Sequence, residues 1–188
     1  MNDRLSSARP RRRVTSYGTG INRVESPLRA QTVPYISILL GSFLPTFLLA
    51  DVMPLLPPIG FMMLLGWRIM RPGFLPLWVG VPLGAFDDLF SGQPFGSGIL
   101  LFSVAMITLE LIETRFPWRG FWQDWFTAGF ALVLYILSAM VVSGASLTIH
   151  LFLAAIPQIL LAVLLYPVMS RMIAWLDRYR LARARRLG

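Results

Sequence analysis

The chain contains no cysteine, no lysine and only one histidine among 188 residues. Without cysteine there are no disulfides and no thiolate metal sites, and any redox compartment is compatible. With a single histidine, His150, a histidine-based metal centre or proton relay has no second member, and a lone histidine at a helix boundary reads as an interfacial polar residue. All 17 basic residues are arginine, a bias that reads as codon usage in a GC-rich genome more than as chemistry. Charge is scarce: 14% of residues against 56% apolar, with only nine acids. A soluble domain of this length carries far more charge on its surface. No glycine-rich phosphate loop, no nucleophile–base pair of the kind hydrolases use and no internal repeat is visible.

What is present is apolar sequence in runs, at a mean hydropathy of +0.65. A bilayer core of about 30 Å requires about 20 apolar residues per helix. The region after residue 33 has room for about six such spans in one membrane domain, near 34–50, 53–69, 74–87, 98–112, 125–142 and 151–176. The expected fold is therefore an all-α integral membrane protein of about six transmembrane helices. The second span is short enough to be a half-helix, and Pro57-Pro58 suits its first turn, where a missing N–H costs nothing. Residues 1–32, rich in arginine, serine and proline, read as a disordered basic tail, and 177–188 as a second basic tail. The first apolar run begins too far along the chain, with no small-residue cleavage site after it, for a secretory signal peptide.

Charge orients these spans. If the N-terminus is cytoplasmic, the inner segments hold seven, two, two and six arginines and the outer loops hold none. The short loops alone, with Arg68 and Arg71, then Arg115 and Arg119, all fall inside, as positive-inside sorting requires. Both termini are thus expected in the cytoplasm, in a bacterial-type inner membrane. The high net charge of +8 reads as a topology signal and as contact with anionic lipid at the cytoplasmic face, not as nucleic-acid binding. Trp67, Trp118, Trp122, Trp125 and Trp175 lie near the inner boundaries and are expected to anchor helices at headgroup depth.

The most unusual segment is Gly84-Ala85-Phe86-Asp87-Asp88-Leu89-Phe90-Ser91-Gly92-Gln93-Pro94-Phe95-Gly96, at the outer end of the third span. Acids at membrane depth are expensive and mark a purpose. Three readings stand: Asp88 and Ser91 cap the turn before the fourth helix, the rim contacts a partner or gates, or the two acids form a catalytic or metal pair. Adjacent helical residues diverge by about 100°, which weighs against the last. At the inner end of the fourth span, Glu110 and Glu113 are one turn apart. Pairing with Arg115, Arg119 or Arg68 is a better reading than a dicarboxylate metal site, which lacks further ligands. Asp124 reads as a charge at the start of the fifth helix.

The segment resembles a stretch of the MreD family of bacterial rod shape-determining membrane proteins, G-x-x-x-D-L-x-S-G-x-x-x-G, met here by Gly84, Asp88, Leu89, Ser91, Gly92 and Gly96. Pro57, followed by Trp67 and Pro72, is similar to the family's second span, and the resemblance covers residues 33–178. Asp87 departs from it, since an apolar residue usually precedes the motif aspartate. The resemblance implies a non-enzymatic protein without cofactors, a scaffold or regulator of peptidoglycan synthesis in cell elongation. It implies partners too: an MreC-like bitopic protein, an MreB-type filament, and a RodA-type polymerase with its transpeptidase. Asp88, Ser91 and Gly92 would shape an outer surface for such a partner. The family is also distantly similar to the substrate-binding membrane subunits of vitamin transporters, which implies a shared six-helix fold. The alternative function is accordingly a subunit for small-molecule, vitamin-like transport.

Overall fold

A computed structural model describes residues 27–48, 56–115, 120–144 and 148–181. The described residues are helical: α1 (Pro27–Leu48), α2 (Ile59–Met70), α3 (Gly80–Phe90), α4 (Ser97–Arg115), α5 (Phe121–Val142) and α6 (Ile149–Leu181), with a single 3-10 turn at Leu77–Val79 before α3. Three of them, α4, α5 and α6, are long and apolar enough to cross a membrane, and the chain is a multi-pass membrane protein on that ground. Their outward faces carry apolar residues at helical spacing, Leu100, Val104, Ile107 and Leu111 on α4 and Phe126, Phe130 and Leu134 on α5, all exposed. In water such stripes would be a liability; against lipid tails they need no cover.

Cross-contacts show that consecutive helices run antiparallel. Thr46 late in α1 hydrogen-bonds Phe90 at the end of α3, and Gln158 early in α6 reaches Leu56 just before α2. At the opposite end, Arg68 of α2 meets Glu110 and Glu113 of α4, and Arg71 meets Asp177 of α6. The arginines after α2, at the end of α4 and late in α6 gather at this second end, here the arginine end; among the described residues none lies at the other, the Asp88 end.

The centre of the bundle is α2. Every residue from Gly60 to Ile69 is buried; the helix is apolar but for Arg68 because it has neighbours all round. Phe61 stacks on Tyr135 of α5 with ring centroids 4.0 Å apart and meets Phe102 of α4 edge-on at 5.4 Å.

Several sequence expectations shift. The helix α1 starts at Pro27, within the segment read as a tail, and α6 runs on to Leu181; residues 1–26 and 182–188 lie outside the described residues. With 12 residues, α2 spans about 18 Å, short of the hydrocarbon thickness. The third span is interrupted as well: Pro72, Gly73 and Pro76 hold its first part non-helical, and α3 proper has 11 residues. Proline contributes no N–H to a helix ladder, which explains the late start. Irregular backbone at membrane depth is tolerated when protein surrounds it, and Leu75 and Val79 in this stretch are 1% exposed. Trp67 is not a headgroup anchor: it is fully buried and its indole N–H donates to Ser37 Oγ at 2.8 Å. Trp122 and Trp175 are exposed, as boundary anchors are, and Trp118 lies outside the described residues.

Candidate functional site

Helices α3 and α4 form a tight hairpin, and the acids at its turn face opposite ways. Asp88 turns toward α4. Its Oδ1 accepts from the Gly98 backbone N–H at 2.6 Å and from Ser97 Oγ at 3.1 Å, and its Oδ2 accepts from the N–H groups of Gly96 at 2.8 Å and Ile99 at 3.3 Å. These are the donors that the first turn of a helix leaves without intrahelical partners. A carboxylate there also meets the positive end of the helix dipole. The aspartate of one helix thus caps the next.

The glycines of the motif make room for this. A Cβ on Gly84 would lie 2.6 Å from the Gly98 carbonyl carbon and 2.7 Å from Ile99 Cα, and one on Gly98 would lie 2.7 Å from the Asp88 carboxylate. Only two bare backbones allow α3 and α4 to approach so closely, as small-residue contacts do between membrane helices. Gly92 and Gly96 bound the turn with φ of +67° and +102°. Ser91 ends α3, its N–H bonded to the Asp87 carbonyl at 2.8 Å. Leu89 makes no part of this frame: it is 66% exposed, and nearby Phe95 is 73% exposed.

Asp87, one residue earlier and about 100° around the helix, faces α1, α2 and α5. It is buried at 8% exposure, and Tyr135 donates its hydroxyl proton to Asp87 Oδ2 at 3.4 Å. The carboxylate borders a cavity of about 500 Å³ at the Asp88 end, between the ends of α1, α3 and α5 and the starts of α2 and α6. Ser42, Thr46, Tyr135, Ser143 and Gln158 line it with polar atoms, and Phe90, Ile136 and Met140 with apolar ones. Sequence reading offers Asp87 only as a departure from the motif and as one half of an acid pair, and it singles out neither Ser42 nor Tyr135. The divergence of adjacent helical positions was the available signal: two neighbouring acids must answer to two environments.

The arginine end holds the other buried charges. Arg68 is fully buried and pairs with both Glu110 and Glu113, the latter at 2.9 Å. Of the three arginines the sequence offers to these acids, Arg68 pairs with both, and Arg119 lies outside the described residues. Asp177, also buried, accepts from Arg71 Nη2 at 2.5 Å and from Arg180 Nε at 2.7 Å. Burial pushes the Asp177 carboxyl up, but the hydrogen bonds and charges of Arg71 and Arg180 outweigh it and hold the group below the usual carboxylate range. Arg180 also lies over the rings of Phe74 at 4.2 Å and Trp67 at 5.2 Å. This network ties α6 to the loop after α2 and is structural. Among the described residues no cluster of three or more potential metal ligands occurs. Asp124 sits in the first turn of α5, and His150 is exposed at the start of α6. Compared with family models, curated proteins and solved structures, the chain matches none.

Proposed function

We propose that this chain is a non-enzymatic scaffold of the peptidoglycan-elongation machinery that sets rod cell shape. It would cross the inner membrane six times with both termini in the cytoplasm. One observation carries the reading. The glycine–aspartate motif of the MreD resemblance falls into a single hairpin: Gly84 and Asp88 build its frame, Gly92 and Gly96 its turn, and Leu89, with nearby Phe95, stands out from its rim. An exposed apolar pair on an ordered frame suits a partner's surface, such as that of an MreC-like bitopic protein working with an MreB-type filament and a RodA-type polymerase with its transpeptidase. The arginine end would face the cytoplasm, where exposed Arg71, Arg115, Arg171 and Arg178 meet anionic lipid.

Depletion in a rod-shaped host is expected to give rounded cells, and the tagged protein is expected to retain a bitopic MreC-like partner. Leu89→Glu and Phe95→Glu should weaken that retention while leaving the fold intact. Cells that stay rod-shaped on depletion would sink the reading. The cavity beside Asp87 favours a second one, a small-molecule membrane subunit; binding of a vitamin-like ligand by the purified protein, with normal cell shape on depletion, would select it.

A further inference from the structure

The cavity at the Asp88 end has an uneven chemistry. Among the described residues its lining includes one carboxylate, Asp87, and no basic side chain. Among the described residues Asp87 has no ion-pair partner, and the Tyr135 phenol donates to its carboxylate. Removing a carboxylate from water costs several kcal/mol unless something compensates it.

The neutral polar groups around it present mainly acceptors. Thr46 Oγ1 donates to the Phe90 carbonyl at 3.1 Å, Ser143 Oγ to the Met140 carbonyl at 2.7 Å, and Gln158 Nε2 to the Leu56 carbonyl at 2.9 Å. With those protons committed, the hydroxyl oxygens and the Gln158 Oε1 retain lone pairs. Pro45, Pro57 and Pro58 line the wall and have no N–H to offer. Ser42 is buried at 5% exposure and borders the cavity with its hydroxyl, on the same side as the Asp87 carboxylate. Ser42, Ser91 and Gln93 keep some donor capacity, but none carries charge. A volume of about 500 Å³ is of the size that holds a small organic molecule.

We propose that this cavity is a binding site for an alkylammonium group, with the Asp87 carboxylate as its counter-ion. The Gln158 carbonyl and the Ser42 hydroxyl serve as further acceptors, and Phe90, Ile136 and Met140 receive the alkyl portion. Three N–H donors on a compact cation match an acceptor-rich wall with one negative charge; an anion would meet repulsion and no basic partner. The ammonium belongs either to a free amine or to the headgroup of an ethanolamine lipid, because the chemistry is shared. The site stands apart from the scaffold reading: normal cell shape on depletion would not touch it, and its failure would leave the Leu89–Phe95 rim unaffected.

The test uses the full-length protein in nanodiscs of phosphatidylcholine and phosphatidylglycerol, with n-butylammonium and the neutral n-butanol as probes. A saturable rise in Tm with butylammonium and none with butanol is expected. Asp87→Asn is expected to weaken butylammonium binding roughly ten- to hundredfold, as loss of a charge-assisted hydrogen bond does. Should Asp87→Asn fail to fold, Gln158→Leu, which removes one acceptor, replaces it, with weaker binding again expected. Repeating the titration with phosphatidylethanolamine in the nanodisc separates the sources. Competition identifies the lipid headgroup and its lack identifies a free amine, and either result sustains the site. No saturable response, an equal response to butanol, or unchanged affinity in a folded Asp87→Asn protein overturns it.

Discussion

Asp88 accepts three backbone N–H groups and one hydroxyl from the start of α4, so its removal strands donors that no water replaces easily. Capping contributes about 1–2 kcal/mol, and hydrogen bonds to a charged group roughly 1.5–3. Asp88→Ala is therefore expected to lose roughly 2–3 kcal/mol in reversible unfolding of the detergent-solubilised protein, and Asp88→Asn, which keeps an acceptor oxygen, about half of that. A silent Asp88→Ala would show that the cap is ornamental. The same substitution at Asp87 touches no helix cap, because its carboxylate faces Tyr135 and the cavity. The two neighbours differ in role because one residue of helix is about a quarter turn or more. Sequence alone proposes Asp88 and Ser91 as caps of this turn; the packing gives Asp88 the N–H groups at the start of α4 and turns Asp87 to the cavity.

Between elements, the closest approach is that of α3 and α4 at Gly84 and Gly98. Gly84→Ala would set a methyl against backbone atoms at 2.6 and 2.7 Å, and backbone cannot swing aside as a side chain can. A loss of about 1–3 kcal/mol is expected, read as a lower unfolding midpoint, together with slower assembly of the hairpin in protease protection. Gly92→Ala meets nothing within 4 Å and tests backbone conformation instead; its positive φ predicts a cost nearer about 1 kcal/mol. At the opposite end, Asp177 joins α6 to the loop after α2. Its carboxyl is held below the usual range in the fold, so its contribution is complete above the unfolded-chain value of about 3.9 and disappears as pH falls through the lower folded value. Unfolding midpoints measured from pH 7 down to pH 3 should decline in the wild type, and the decline should be shallower in Asp177→Asn. Parallel profiles would remove Asp177 from the account.

At the scale of the whole molecule, charge and polarity separate along the bundle axis. One end gathers the arginines, the other the Asp88 hairpin and the cavity, with apolar faces of α4, α5 and α6 between them. Because the chain has no cysteine, single cysteines report the orientation without background. Gln93→Cys, at the Asp88 end, is expected to react with a membrane-impermeant maleimide in intact cells, and Gln123→Cys, at the start of α5, only after permeabilisation. The reverse pattern would invert the topology.

Hydropathy and arginine placement by themselves determined that the chain is helical, apolar and bounded by basic segments, because bilayer thickness and positive-inside sorting act on composition and need no contacts. The motif Gly84–Gly96 was legible for the same reason: glycines beside an acid at a helix end have few uses. The tertiary structure decided what required neighbours. It buried Trp67 and Arg68, which local sequence places at a boundary, because α2 sits at the centre of the bundle and is covered on every side. It shortened α3, since surrounding protein makes a proline-interrupted entry tolerable. And it gave Asp87 a cavity to face while Asp88 caps α4, a setting for Asp87 fixed by which helices stand on either side of α3.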